Sequence, residues 1–313
     1  EEVFKLVFAK EAGEKIDINH YDQVIADAVQ TVVRKQTDVG VDVVSDGEQS
    51  KISYATYIKH RLNGFDGDSP RRTPKDLEEY PAFSKRASSS GGVPTYSRPQ
   101  CVGPISVKDL KPLEVDLQNF KEALSVSEAT DAFMNAASPG VIAQFQPNQH
   151  YPDHSSYLYA LADAMKVEYE GIAEAGLVIQ IDSPDLALGR HVLFKDQSDE
   201  EFVAMAELHI EALNHALQNI PAEQLRLHVC WGNYQGPHHC DIEMKKILPA
   251  VLKAKPMALS FEGANPRHSH EWSVFRDAKI PENKVLIPGV LDSTTNFVEH
   301  PELVAERICR FAD

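Results

Sequence analysis

Along the chain the apolar positions alternate between helical spacing and short β-branched runs. Between residues 21 and 35, Val24, Ile25, Ala28, Val32 and Val33 fall on one helical face and predict an amphipathic helix. It leads through Asp38-Val39-Gly40 into residues 41–46, a β-branched run that predicts a strand. The unit recurs. A helix over about 154–175 ends at Gly176 and feeds a strand over 177–182, and a helix over about 199–218 feeds one over 225–230. Helices near 241–253 and 270–276 precede strands over 258–262 and 285–290, and Gly140 to Phe145 reads as a further strand of this kind. Strand–helix units in this order predict a parallel sheet and an α/β fold.

The polar residues within the strands separate a barrel from an open sheet. Leu225, Leu227 and Val229 alternate with Arg226, His228 and Cys230; Ile179 and Ile181 alternate with Gln180 and Asp182; Leu259 and Phe261 alternate with Ser260 and Glu262. An open sheet covered by helices on both faces reads as continuous apolar runs. A barrel turns one strand face to helices and the other inward, with polar groups at the strand C-termini. The alternation therefore predicts a (β/α)8 TIM-type barrel forming one domain over residues 1–313. Residues 64–99, rich in Pro, Gly, Ser and charge and including Ser88-Ser89-Ser90-Gly91-Gly92, interrupt the pattern and are expected to form a long inserted lid loop. The segment from Cys101 to Val107 is assigned to a hairpin or cover outside the barrel.

Charge narrows the partners. With 31 Lys and Arg against 47 Asp and Glu, the formal charge is −16. Long-range repulsion from phosphate then argues against nucleic acid and anionic membrane surfaces. No apolar run approaches the roughly 20 residues a membrane helix needs, and the four cysteines show no disulfide-framework spacing. A cytoplasmic protein is expected, with its oligomeric state open and a homo-oligomer included.

The sharpest local chemistry is His228-Val229-Cys230. On a strand, residues i and i+2 project from one face, so an imidazole and a thiol converge. That pair suits zinc (Zn2+), which favours nitrogen and sulfur donors; the alternative is a buried cysteine beside a core histidine. Glu262 ends the next strand on its polar face, and strands about 4.8 Å apart bring its carboxylate within reach of a metal held by the pair; the alternative is a solvated glutamate. Asp182 and Glu48 also close strands, where two carboxylates can hold an ammonium group by charge-assisted hydrogen bonds. Cys101, Cys240 and Cys309 lie off the polar strand faces and are not expected to be ligands, although Cys240 sits just past the metal strand.

Asp46-Gly47-Glu48, Gln180-Ile181-Asp182-Ser183-Pro184, His228-Val229-Cys230, Phe261-Glu262 and Pro288-Gly289-Val290-Leu291-Asp292 occur in one order along nearly the whole chain. In that order they resemble the catalytic domain of cobalamin-independent methionine synthases, within the wider uroporphyrinogen decarboxylase-like barrels. The resemblance implies that His228, Cys230 and Glu262 are zinc ligands, and that Glu48 and Asp182 hold the amino acid part of a thiol substrate. It also implies a Gly-Ser-[Leu/Phe]-Pro strand before Glu1, and after Asp313 a strand with an Asp-Cys-Gly element whose cysteine is the remaining protein ligand. Neither is in the sequence. The barrel is thus expected to lack its first and last strands here, leaving six, with Val44 and Val290 on strands that flank the gap. Two further departures bear on the methyl donor. Ser293-Thr294-Thr295 stands where the family carries a histidine, and Asn148-Gln149-His150 lacks the tryptophan expected beside a pterin.

The implied reaction is methyl transfer from 5-methyltetrahydrofolate, as its polyglutamate, to homocysteine, giving methionine. A free thiol with a pKa near 8.5 is only roughly 3% thiolate at pH 7, and zinc held by three protein ligands keeps a position open for the substrate sulfur. The leaving nitrogen needs a proton, for which His150, His238 and His239 are candidates. Another zinc-dependent S-alkyltransferase, with a different thiol or an electrophile such as an epoxide, fits the same residues. A zinc hydrolase and an inactive binding barrel are the alternatives of a different class.

Overall fold

A computed structural model of the chain describes residues 1–90 and 96–312, which divide into two units. Its strands, in chain order, are β1 (Val43–Ser45), β2 (Leu62–Asp66), β3 (Gln100–Val107), β4 (Asp131–Ala137), β5 (Val178–Asp182), β6 (Leu225–Val229), β7 (Ala258–Glu262) and β8 (Val285–Gly289). All but β2 and β3 are parallel strands that alternate with helices, so the fold is α/β of the barrel type. Six strands are parallel, as many as expected, but one of them, β4, is not among the segments expected to be strands. No helix among the described residues is long and apolar enough to cross a membrane.

The first unit spans Glu1–Pro70, Val93–Gln180 and Ala216–Ile220. Its helix Ile18–Asp38 begins where the Asp17 carboxylate accepts hydrogen bonds from the backbone N–H of Asn19 and His20, satisfying donors that a helix start leaves open. Tyr21, Ile25, Val29 and Val33 form its buried stripe at four-residue spacing. β1 pairs in parallel with β4, Val44 opposite Ala132. β2 and β3 form a separate antiparallel pair, as expected of a cover. Gly64 lies at a bend of that pair with φ 97°, and a Cβ there would meet the Gly103 carbonyl at 2.8 Å.

One element differs from its sequence reading. Gly140 to Phe145 is not a strand: it belongs to the helix Pro139–Phe145, and the strand is β4, just upstream. Residues 139–144 are all buried, and a run that is apolar on every side carries no period to tell helix from strand. The deciding signal is at the start, where the Ser138 hydroxyl accepts from the Val141 N–H at 3.0 Å and Pro139 opens the first turn.

The second unit spans Arg71–Gly92, Ile181–His215 and Pro221–Asp313. In it β6 pairs in parallel with β7, Leu227 opposite Leu259 and His228 opposite Ser260, and β7 pairs with β8, Glu262 opposite Gly289. Each strand neighbours the next one in the chain without the reversal that marks a doubly wound sheet. Leu225, Leu227, Val229, Leu259 and Phe261 are buried, and Phe261 stacks on Phe275 with ring centroids 4.4 Å apart. The inserted segment is more ordered than the expected loop. It carries the helices Lys75–Glu79 and Pro81–Ser90, while Gly91 and Gly92 of its glycine–serine run lie outside the described residues.

Candidate metal and thiol site

The alternation of β6 puts Leu225, Leu227 and Val229 into the core and leaves Arg226 and His228 half-buried on the opposite face. Cys230 follows directly. Two backbone bonds fasten this strand end to the segment after β5: Ser183 N–H donates to the His228 carbonyl at 2.9 Å, and Leu188 N–H to the Cys230 carbonyl at 3.1 Å. Asp182, buried at the end of β5, precedes the first of these bonds, and its charge acts on the thiol.

Burial pushes the His228 imidazole down to about 4, with the Arg226 charge adding to the effect and the Ser260 backbone opposing it. The ring is neutral at pH 7, and its buried Nδ1 has no hydrogen-bond partner. Burial pushes the Cys230 thiol up to about 11. The Gly232 N–H, 3.2 Å from Sγ, pulls it back, while the charges of Asp182, Glu262 and Asp241 push it further up. Glu262 spends one oxygen on its own loop: Oε1 accepts from Ala264 N–H at 2.5 Å and Asn265 N–H at 3.0 Å, which leaves Oε2 on offer. A neutral imidazole, a thiol and a carboxylate in a negatively charged pocket are the donor types zinc takes. Among the described residues, however, the group whose donor atoms all lie within 4.8 Å of one another is Glu79, His239 and Cys240.

Glu48 belongs to the first unit. It sits in the Asp46-Gly47-Glu48 turn with φ 52°, its N–H bonded to Asp46 Oδ1. Its carboxylate is paired with Lys51, whose Nζ lies 3.3 Å from Glu48 Oε1, donates to the Asn135 carbonyl at 2.7 Å and stands over the Tyr57 ring. Lys51 was not among the expected site residues; its three-residue spacing from Glu48 is the signal the sequence carries for this pair.

Asp241, also not among the expected site residues, is the centre of a buried charged cluster in the second unit. His238 Nδ1 and His268 Nε2 each lie 2.9 Å from Asp241 Oδ2. The other nitrogen of each ring also faces an acceptor, the Tyr234 carbonyl for His238 and Glu271 for His268, so both rings donate twice and are imidazolium ions. Burial opposes the His268 charge, but the hydrogen bonds to Asp241 and Glu271 outweigh it and push it up to about 9. Of the proton-donor candidates, His238 is engaged in this cluster, His239 is exposed and paired with Glu79, and His150 is exposed against Tyr151. Downstream, Thr294 donates from both N–H and Oγ1 to Asp292 Oδ1.

No family model matches the chain. It is 28% identical over 238 residues to the methionine synthase of Saccharolobus solfataricus, covering 74% of this chain and 61% of that protein. It is also 28% identical over 221 residues to the methionine synthase of Sulfurisphaera tokodaii, covering 70% and 55%. The chain thus spans about three fifths of the length of these relatives. Among solved structures, a B12-independent methionine synthase from Shewanella sp. W3-18-1, in complex with selenomethionine, superimposes with a TM-score of 0.69 at 20% identity, over 95% of this chain and 79% of that one.

Proposed function

Because the chain is a homologue of methionine synthases, we propose that it carries the centre at which a methyl group passes from 5-methyltetrahydrofolate to the sulfur of homocysteine, giving methionine. One observation supports the reading: a half-buried Cys230 thiol that feels the charges of Asp182, Glu262 and Asp241, two residues from a His228 whose Nδ1 has no partner. Carboxylates gathered around such a thiol are costly until a cation joins them. His228, Cys230 and Glu262 would hold zinc, and bound zinc supplies the positive charge that lowers the pKa of a coordinated thiol. The remaining work falls to the chain. The segment fixed by the Ser183 and Leu188 backbone bonds holds Asp182 beside the centre, where its carboxylate accepts hydrogen bonds from the substrate ammonium. Glu48, which the resemblance also assigns to the ammonium, is paired with Lys51. A cytoplasmic setting belongs to the same proposal.

Asp182→Asn tests it, since the change keeps the size of the side chain and removes its charge. Losing one charge-assisted hydrogen bond costs about 1.5–3 kcal/mol, or roughly 10–150-fold in affinity for homocysteine. A simple alkanethiol has no amino group, and its affinity should barely change, as should zinc content. Equal losses for both thiols would mean that Asp182 only supports the site, and the amino acid substrate would lose its main support.

A further inference from the structure

The second unit holds another set of metal-type donors on elements far apart in sequence. Glu79 ends the helix Lys75–Glu79, and His239 and Cys240 lie in the loop after β6. His239 Nε2 is 2.7 Å from Glu79 Oε2, and Cys240 Sγ is 4.0 Å from Glu79 Oε1. In a tetrahedral zinc site, bond lengths of 2.0–2.3 Å set ligand atoms about 3.3–3.7 Å apart. The observed separations bracket that range, so small side-chain rotations suffice.

The backbone beneath the donors is already fixed. Asp76 and Glu79, three residues apart, share one face of their short helix. Asp76 is fully buried and accepts from the His238 N–H at 3.1 Å and from the Tyr234 hydroxyl, tying the helix to the loop. His238 itself is held in the left-handed region, φ 54°, a strained conformation for a residue other than glycine. Its ring is clamped between Asp241 and the Tyr234 carbonyl, and that clamp presents the next two side chains toward Glu79. Asp76 Oδ1 has no hydrogen-bond partner, an uncompensated buried oxygen that raises the negative potential at Cys240. A cavity of about 260 Å³ that His239 and Cys240 help to line gives an ion a path in and room for water ligands. Lys75 and Arg267 line it too.

We propose that Glu79, His239 and Cys240 form a second zinc site, separate from the thiol centre, that clips the inserted helix to the loop carrying Cys230. Cys240 lies off the polar strand faces, just past β6, and was not expected to be a ligand. A water would complete the shell, and the clip would brace the segment expected to act as a lid.

The test is metal stoichiometry and cysteine protection on the full chain. Cobalt(II) titration of wild type should give two equivalents, and Cys240→Ser and Glu79→Gln should each give one fewer, with about half the thiolate-to-cobalt absorption in Cys240→Ser. Cys230→Ser should lose the other equivalent, which separates failure of this site from failure of the thiol centre. Zinc should slow alkylation of Cys240 at least tenfold in wild type and not in Glu79→Gln. Unchanged stoichiometry in both Cys240→Ser and Glu79→Gln, or equal alkylation with and without zinc, would overturn the proposal.

Discussion

His228 and Cys230 are both held neutral by burial, one by losing its proton and the other by keeping it. On the proposed reading, a cation would complete the charge balance of these two neutral donors. Nearby, His268 is the opposite case, a buried ring kept charged by Asp241 and Glu271. Its proton has a consequence for stability. An unfolded histidine titrates near 6.5, and His268 in the fold holds its proton up to about 9. The folded state binds more protons in between, so this contribution is complete below about pH 6.5 and is lost as pH rises through about 9. Urea unfolding at pH 6.5 and 9.5 should show that decline in wild type. His268→Gln should be weaker at pH 6.5 by about 3–5 kcal/mol, because it strips a buried ion cluster of one partner, and it should decline less with pH. An identical pH slope in the variant would place the proton elsewhere.

Among the elements, those with a clear period were legible and those buried all round were not. The helix Ile18–Asp38 announced itself by its one-sided stripe, and β6 and β7 by strict alternation. Pro139–Phe145 did not, since every side of it meets the core and only its cap distinguishes it from a strand. That cap can be tested. Ser138→Ala removes the acceptor for the Val141 N–H and should cost about 0.5–2 kcal/mol in chemical denaturation. A change within error would mean that tertiary packing alone fixes the helix. The inserted segment misled for a different reason. Its short helices Lys75–Glu79 and Pro81–Ser90 are too brief to show a period, and the first is held by Asp76 bonds to residues far along the chain.

At the scale of the molecule, the ordered motifs pointed to methionine synthases, to which the chain is 28% identical, while the interactions around the candidate site stayed out of view. Strand ends could be read because alternation places His228, Asp182 and Glu262 on polar faces. Asp241 and Asp76 could not, because each acts through partners brought together only by folding, and the spacing of Lys51 from Glu48 gave no hint of its bond to the distant Asn135 carbonyl. The central claim is that the centre around Cys230 takes up a thiol as its anion. A free thiol, near 8.5 for a cysteine side chain, is almost fully protonated at pH 7, so binding of homocysteine as the anion must release its proton. Calorimetric titration of the zinc-loaded chain with homocysteine, in two buffers of different ionisation enthalpy, measures that release directly. The account predicts close to one proton per homocysteine bound at pH 7, and loss of both binding and release in Cys230→Ala. Binding without proton release, or full release retained in Cys230→Ala, would contradict it.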